Sequence, residues 1–140
     1  MTKNITFIIF SLLLFSCGRQ DPADQLTHLE GYWEIESATL PDGTAKEFAI
    51  NTTIDYIEVS DSTGVRKKMQ PKLDGSYRTS ASAETFTAKV EDDSLRLYYK
   101  TPFDNWRETV LYANDDILKV KNRDGNVYTY TRFRSFKTPE

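Results

Sequence analysis

Few side chains in this sequence carry reactive chemistry, and their scarcity narrows what the protein can do. The 140 residues include one Cys, Cys17, and one His, His28. A lone thiol forms no intramolecular disulfide, and as a thiolate it is the natural nucleophile for alkylation. His28 lies beside no second His and no obvious acid pair, so neither a His-rich metal site nor an acid–base relay can be built on it. Carboxylates are numerous, but Glu91-Asp92-Asp93 and Asp115-Asp116 sit where turns are expected, and Asp forms turns by bonding its own backbone. Asp61-Ser62-Thr63-Gly64 lacks the spacing of a calcium loop, and no glycine-rich phosphate loop is present. The chain therefore reads as a non-enzyme with no metal and no cofactor. A net charge of −3 makes nucleic acid a poor partner. The basic run Arg66-Lys67-Lys68 reads as a solvated strand or hairpin tip, with contact to anionic headgroups as the alternative.

Cys17 gains meaning from what precedes it. From Ile5 to Phe15 nine of eleven residues are apolar, after a start that carries Lys3. That run is shorter than the roughly 20 residues a transmembrane helix needs, and it has the layout of a secretory signal over residues 1–16. Its end, Leu14-Phe15-Ser16-Cys17, resembles the bacterial lipobox. The resemblance implies that the Cys17 thiol is diacylglycerylated, that the signal is cut before it, and that the new amine receives a palmitate-type chain. Acyl chains bury methylenes at about 0.8 kcal/mol each, so the membrane would be a permanent partner. An ordinary secreted protein with a free thiol is the alternative, though free thiols are unusual in oxidising compartments. Gly18 rather than Asp follows the Cys, which under the same resemblance favours the outer membrane and leaves its periplasmic or surface face open. Residues 17–28 read as a polar tether with a helical turn at Asp24–Leu29. Loss of Lys3 with the signal takes the formal charge from −3 to −4.

The remainder is punctuated by turn chemistry: Pro41-Asp42-Gly43, Asp61-Ser62-Thr63-Gly64, Asp74-Gly75, Glu91-Asp92-Asp93, Thr101 to Asn105, Asn114-Asp115-Asp116 and Arg123-Asp124-Gly125-Asn126. Between the turns lie short runs rich in Val, Ile, Thr, Tyr and Phe. The pattern predicts strands near 31–40, 53–60, 64–71, 75–80, 84–90, 94–100, 106–113, 116–122 and 126–135, and a short helix over 44–50 capped by Thr44. Phe86, Ala88 and Val90 share one face, as do Leu95, Leu97 and Tyr99. Trp106, Val110 and Tyr112 share another, which Glu108 interrupts. The fold class is all-β, an antiparallel up-and-down meander of eight or nine strands, closed to remove its edges.

Gly31-Tyr32-Trp33, opening the first strand after a helical turn, resembles the G-x-W motif of the lipocalins. Arg132, in the last strand, is the candidate for the lipocalin Arg that packs over the motif Trp, with Arg134 the second choice. The chain is similar to short lipocalin-like bacterial lipoproteins over about 29–136, leaving 137–140 as a tail. The resemblance implies a barrel with Trp33 and Arg132 as a structural pair at its base. Ser37, Thr39, Ser80, Tyr128 and Tyr130 could then place polar groups among Phe86, Leu97 and Trp106 in an apolar pocket for a small ligand. A side-chain-filled interior is the alternative for so narrow a barrel. The expected function is binding of a small apolar or amphipathic molecule in the envelope. The rival is a protein-interaction module, an inhibitor or an accessory subunit. Asn51-Thr52-Thr53 fits the N-glycosylation sequon, and Asp61-Ser62-Thr63 and Asp93-Ser94-Leu95 fit a short O-glycosylation pattern.

Overall fold

The computed structural model describes residues 19–134. Cys17, the signal segment and the 137–140 tail lie outside them. The described chain begins with helix α1 (Pro22–Thr27). Asp21 caps it by accepting the Ala23 N–H at 2.9 Å, and Pro22 stands in the first turn, where its missing N–H is not needed.

Nine strands follow: β1 (Gly31–Thr39), β2 (Ala45–Glu47), β3 (Ile54–Ser60), β4 (Thr63–Pro71), β5 (Tyr77–Glu91), β6 (Ser94–Lys100), β7 (Asn105–Ala113), β8 (Ile117–Asn122) and β9 (Val127–Arg132). From β3 to β9 each strand pairs antiparallel with the next, and β9 pairs with β1. Eight strands thus close a barrel, and β2 adds to the upper half of β1. The tight links β3–β4 and β5–β6 turn at Asp61 and at Asp92-Asp93, all with positive φ, a conformation Asp tolerates and the twist of a hairpin needs.

Several expectations change. Residues 44–50 form no helix. Thr44 accepts the Leu40 N–H at the close of a hairpin, and β2 supplies the partner that β1 lacks beyond its pairing with β3. The separate strands expected at 75–80 and 84–90 are one 15-residue strand, because the break between them is a bulge opposite Lys67–Met69 and not a turn. The hairpin arm beyond this bulge carries Tyr77 onto the outer face of the barrel, where its ring stacks on Tyr32 at 4.5 Å. Ile54 and Met69, cross-strand partners on that outer face, are buried. Val90 is not in the core: it lies at the end of the β5–β6 hairpin, 62% exposed. A bulge between Val110 and Tyr112 turns Tyr112 outward and puts Ala113 inside.

The lower half of the barrel is solid. Leu29, Trp33, Leu95, Leu97, Val110, Ala113, Leu118 and Val120 fill it. Phe86 lies across Gly64, where any Cβ would collide with the ring. α1 lies against β6 and β7, with Leu26 packed on the core and Gln25 donating to the Leu111 carbonyl.

The base is closed by one side chain. The Arg132 guanidinium sits 4.1 Å from the Trp33 ring centroid. It donates to the backbone carbonyls of Glu30 at 2.8 Å, His28 at 3.0 Å and Asp115. Trp33 donates its indole N–H to the Leu29 carbonyl at 2.9 Å. Gly31, at φ +133°, leaves the space that Arg132 crosses, and a Cβ there would meet its Nη1. Arg134 lies apart, exposed and paired with Asp116. Gly31→Ala therefore combines a strained φ with a steric clash. It is expected to lower stability by about 1–3 kcal/mol, read as a fall of several degrees in Tm; an unchanged Tm would show that the motif glycine is dispensable.

Candidate ligand-binding site

Above the solid base the interior becomes polar. On β4 the inward positions are Gly64, Arg66 and Lys68, set by the pairing of Arg66 with the core residue Ile57 and of Gly64 with Phe86. Arg66 is therefore not on a solvated tip. Its guanidinium is buried at the centre of a network: Nη2 donates to Asp55 Oδ2 at 2.9 Å and to the Tyr130 hydroxyl at 2.8 Å. Nη1 lies 3.5 Å from the Tyr99 hydroxyl and from Glu108 Oε2. The Tyr130 ring centroid is 5.3 Å from the guanidinium carbon. Lys68 bridges to the second oxygen of Asp55 from a more exposed position. Lys67, between them, points outward.

The three buried ionic groups respond differently to this environment. Burial pushes the Asp55 carboxyl up, but Arg66 and Lys68 together outweigh it and hold the group below its ordinary value. Burial also acts on Glu108, and there Arg66 does not compensate; Glu84 and Asp55 add to the upward push, so its carboxyl lies above the usual range. Burial works against the charge of Arg66, but the two tyrosines, Asp55 and Glu108 keep it firmly protonated. Glu108 Oε2, although buried, accepts no hydrogen bond.

Glu108 faces a cavity of about 360 Å3 in the barrel mouth. Trp106, Tyr128 and Tyr130 supply its aromatic wall, and Arg66, Lys68 and Glu84 its floor and side. The opening lies between the β6–β7 loop at Asp104 and the β8–β9 turn at Arg123 and Asp124. Trp106 is fixed by stacking on Tyr99, 5.1 Å apart with planes 4° from parallel.

The residues expected in an apolar pocket are thus divided. Trp106, Tyr128 and Tyr130 line the cavity. Phe86 and Leu97 belong to the filled core beneath it. Ser37 and Thr39 are on the outer face: a bulge between Ile35 and Ser37 shifts the alternation, so that Ala38, not its neighbours, pairs with the inward Tyr128. Ser80 lies in a separate cavity with Thr53, Gln70 and Arg78, its hydroxyl 2.9 Å from that of Ser82. Asp55, Arg66, Lys68 and Glu84 were missing from the expected set. The one sequence signal that pointed to them was Glu108, a charge on an otherwise apolar strand face, which calls for an opposite charge across the barrel.

The model of the lipocalin-like domain matches residues 29–131. No curated protein matches the chain. Among solved structures, a lipocalin-like protein from Bacteroides uniformis aligns with a TM-score of 0.47 and 11% identity over 76% of this chain and 99% of its own. An uncharacterized protein from Bacteroides eggerthii aligns with a TM-score of 0.47 and 12% identity, over 75% of this chain and 99% of its own.

The state of Asp55 gives the network a measurable pH dependence. Its folded value lies below the roughly 3.9 of an unfolded Asp, so its contribution is full above that value and is lost as pH falls through the folded one. Urea unfolding should show Asp55→Asn less stable than the wild type at pH 6, with the gap narrowing in the acid window that begins near the unfolded value of about 3.9 and runs below it. A gap constant across that window would contradict the assignment.

Proposed function

The chain belongs to the lipocalin-like domain family, and from that premise we propose that it is an envelope lipoprotein, anchored through Cys17, whose barrel mouth binds one small amphipathic molecule. The observation that carries the binding half is the mouth cavity, in which a buried carboxylate oxygen of Glu108 accepts no hydrogen bond among aromatic walls. Native interiors rarely leave such a group without a partner, and a volume of about 360 Å3 is in the range of small-molecule sites. The polar mouth and its aromatic wall suit an amphipathic molecule better than a wholly apolar one.

The anchoring half is supported by the way the tether meets the barrel. Gln20 imitates a strand partner at the β7 edge: its amide donates to the Ala113 carbonyl, and its Oε1 accepts the Ala113 N–H at 3.0 Å. Three residues of chain span at most about 11 Å, so an acylated Cys17 would hold the closed base towards the membrane and leave the mouth facing away. The outer membrane is the membrane the sequence favours.

Two measurements test this. Native mass spectrometry of the protein from its own envelope should show one bound small molecule, lost in Trp106→Ala with the β-sheet circular dichroism retained; an apo mass in every preparation would refute binding. Cys17→Ser should move the protein from the membrane to the soluble fraction, and its retention in the membrane fraction would refute lipidation.

A further inference from the structure

The charges inside the mouth do not balance. Three carboxylates face the interior: Asp55, Glu84 and Glu108. Two cations face them, Arg66 and Lys68. Both cations are committed to Asp55, Arg66 at 2.9 Å and Lys68 on the other oxygen. The remaining contact of Arg66 with Glu108 is a long 3.5 Å. The side chain of Glu84, the cross-strand neighbour of Arg66, makes no salt bridge or hydrogen bond among the described residues. At the rim the signs cancel, Arg107 and Arg123 against Asp104 and Asp124. Among the described residues the interior is one positive charge short, and the deficit lies beside Glu108 and Glu84, which line the same cavity as Trp106 and Tyr128.

We propose that the mouth site selects an organic cation, an amphipathic amine whose ammonium pairs with Glu108 and Glu84 and whose apolar body lies along Trp106 and Tyr128. The inference rests on the ligand-binding reading above and names the ligand class. An ammonium brings the N–H donors that Glu108 Oε2 lacks. It supplies the missing charge through charge-assisted hydrogen bonds, which are stronger than neutral ones. Aromatic faces attract cations, and here the Trp106 ring is held in place by its stack on Tyr99. An anionic ligand would find the Arg66 donors already engaged with Asp55, Tyr130, Tyr99 and Glu108 and would meet the carboxylates of Glu84 and Glu108.

Titration calorimetry at pH 7 with three probes of similar shape reads this out: phenethylammonium, 2-phenylethanol and 3-phenylpropanoate. The wild type should bind the ammonium at least about ten-fold more tightly than the alcohol, a difference of about 1.4 kcal/mol, and the carboxylate more weakly still. Glu108→Gln, a near-isosteric change, should retain the β-sheet circular dichroism of the wild type. It should lose at least ten-fold in ammonium affinity while its affinity for the alcohol stays within a factor of three. Asp124→Asn, which removes the same charge from the exposed rim, should change ammonium affinity less than three-fold. Equal binding of ammonium and alcohol, preference for the carboxylate, or equal losses in Glu108→Gln and Asp124→Asn would overturn the cation assignment and leave the cavity as a binding site. Absence of binding for all three probes, together with an apo mass from the native envelope, would overturn both.

Discussion

The barrel depends on Arg132 lying over Trp33. Closing an up-and-down sheet requires its last strand to meet its first, and here the two ends also share one side chain. Arg132 belongs to β9, but its guanidinium ties carbonyls from the α1–β1 link and from the β7–β8 turn while covering the ring of β1. Three chain segments remote in sequence are thereby fixed to one planar group with five donors. The arrangement works only if the chain at position 31 has no Cβ and adopts φ +133°. The glycine and the tryptophan of the motif are therefore two parts of one contact: one provides the room and the other the surface.

A base sealed in this way makes the two halves of the interior chemically different. Beneath Tyr99 the barrel is filled by aliphatic side chains and Phe86, so no ligand can enter from that end. Above it, Arg66 is held by charged and phenolic partners drawn from β3, β6, β7 and β9. A buried ion network of this kind is poor at adding net stability but strongly penalises the loss of one member. It therefore fixes the relative positions of four strands at the level where the cavity begins. Glu108 is the member least well served, and burial keeps its carboxyl inclined to the neutral form. The network thus carries an unsatisfied oxygen where it borders the mouth cavity.

The sequence revealed this architecture unevenly, and the reason is parity. Strand positions, turn chemistry and the closing motif depend on local composition and on period-2 alternation, and these were legible. Which side chains point inward depends on every bulge between a residue and its nearest fixed point, and a bulge carries no strong sequence mark. One extra residue after Ile35 sends Ser37 and Thr39 outside, and one after Val110 exchanges Tyr112 for Ala113. On β4 the pattern was misleading for a different reason. Val65 and Met69 share the outer face, and Met69 is buried there beside its cross-strand partner Ile54, so an apolar alternation did not mark the core side. Arg66 consequently looked like part of a solvated basic run.

Glu108 shows how the hidden site can nevertheless be approached from the sequence. Its neighbours on the same face, Trp106 and Val110, fix it as inward. A carboxylate on such a face must find a cation or become neutral. Of the cations in the chain only those on an inward position of a facing strand qualify. The fold supplies two: Arg66, engaged with Asp55 at 2.9 Å and only loosely with Glu108 at 3.5 Å, and Lys68, engaged with the other oxygen of Asp55. The shortage of positive charge in the mouth is thus a consequence of the order in which the interior partners are satisfied: Asp55 takes both internal cations, and Glu108, which lines the cavity, keeps only the long contact with Arg66.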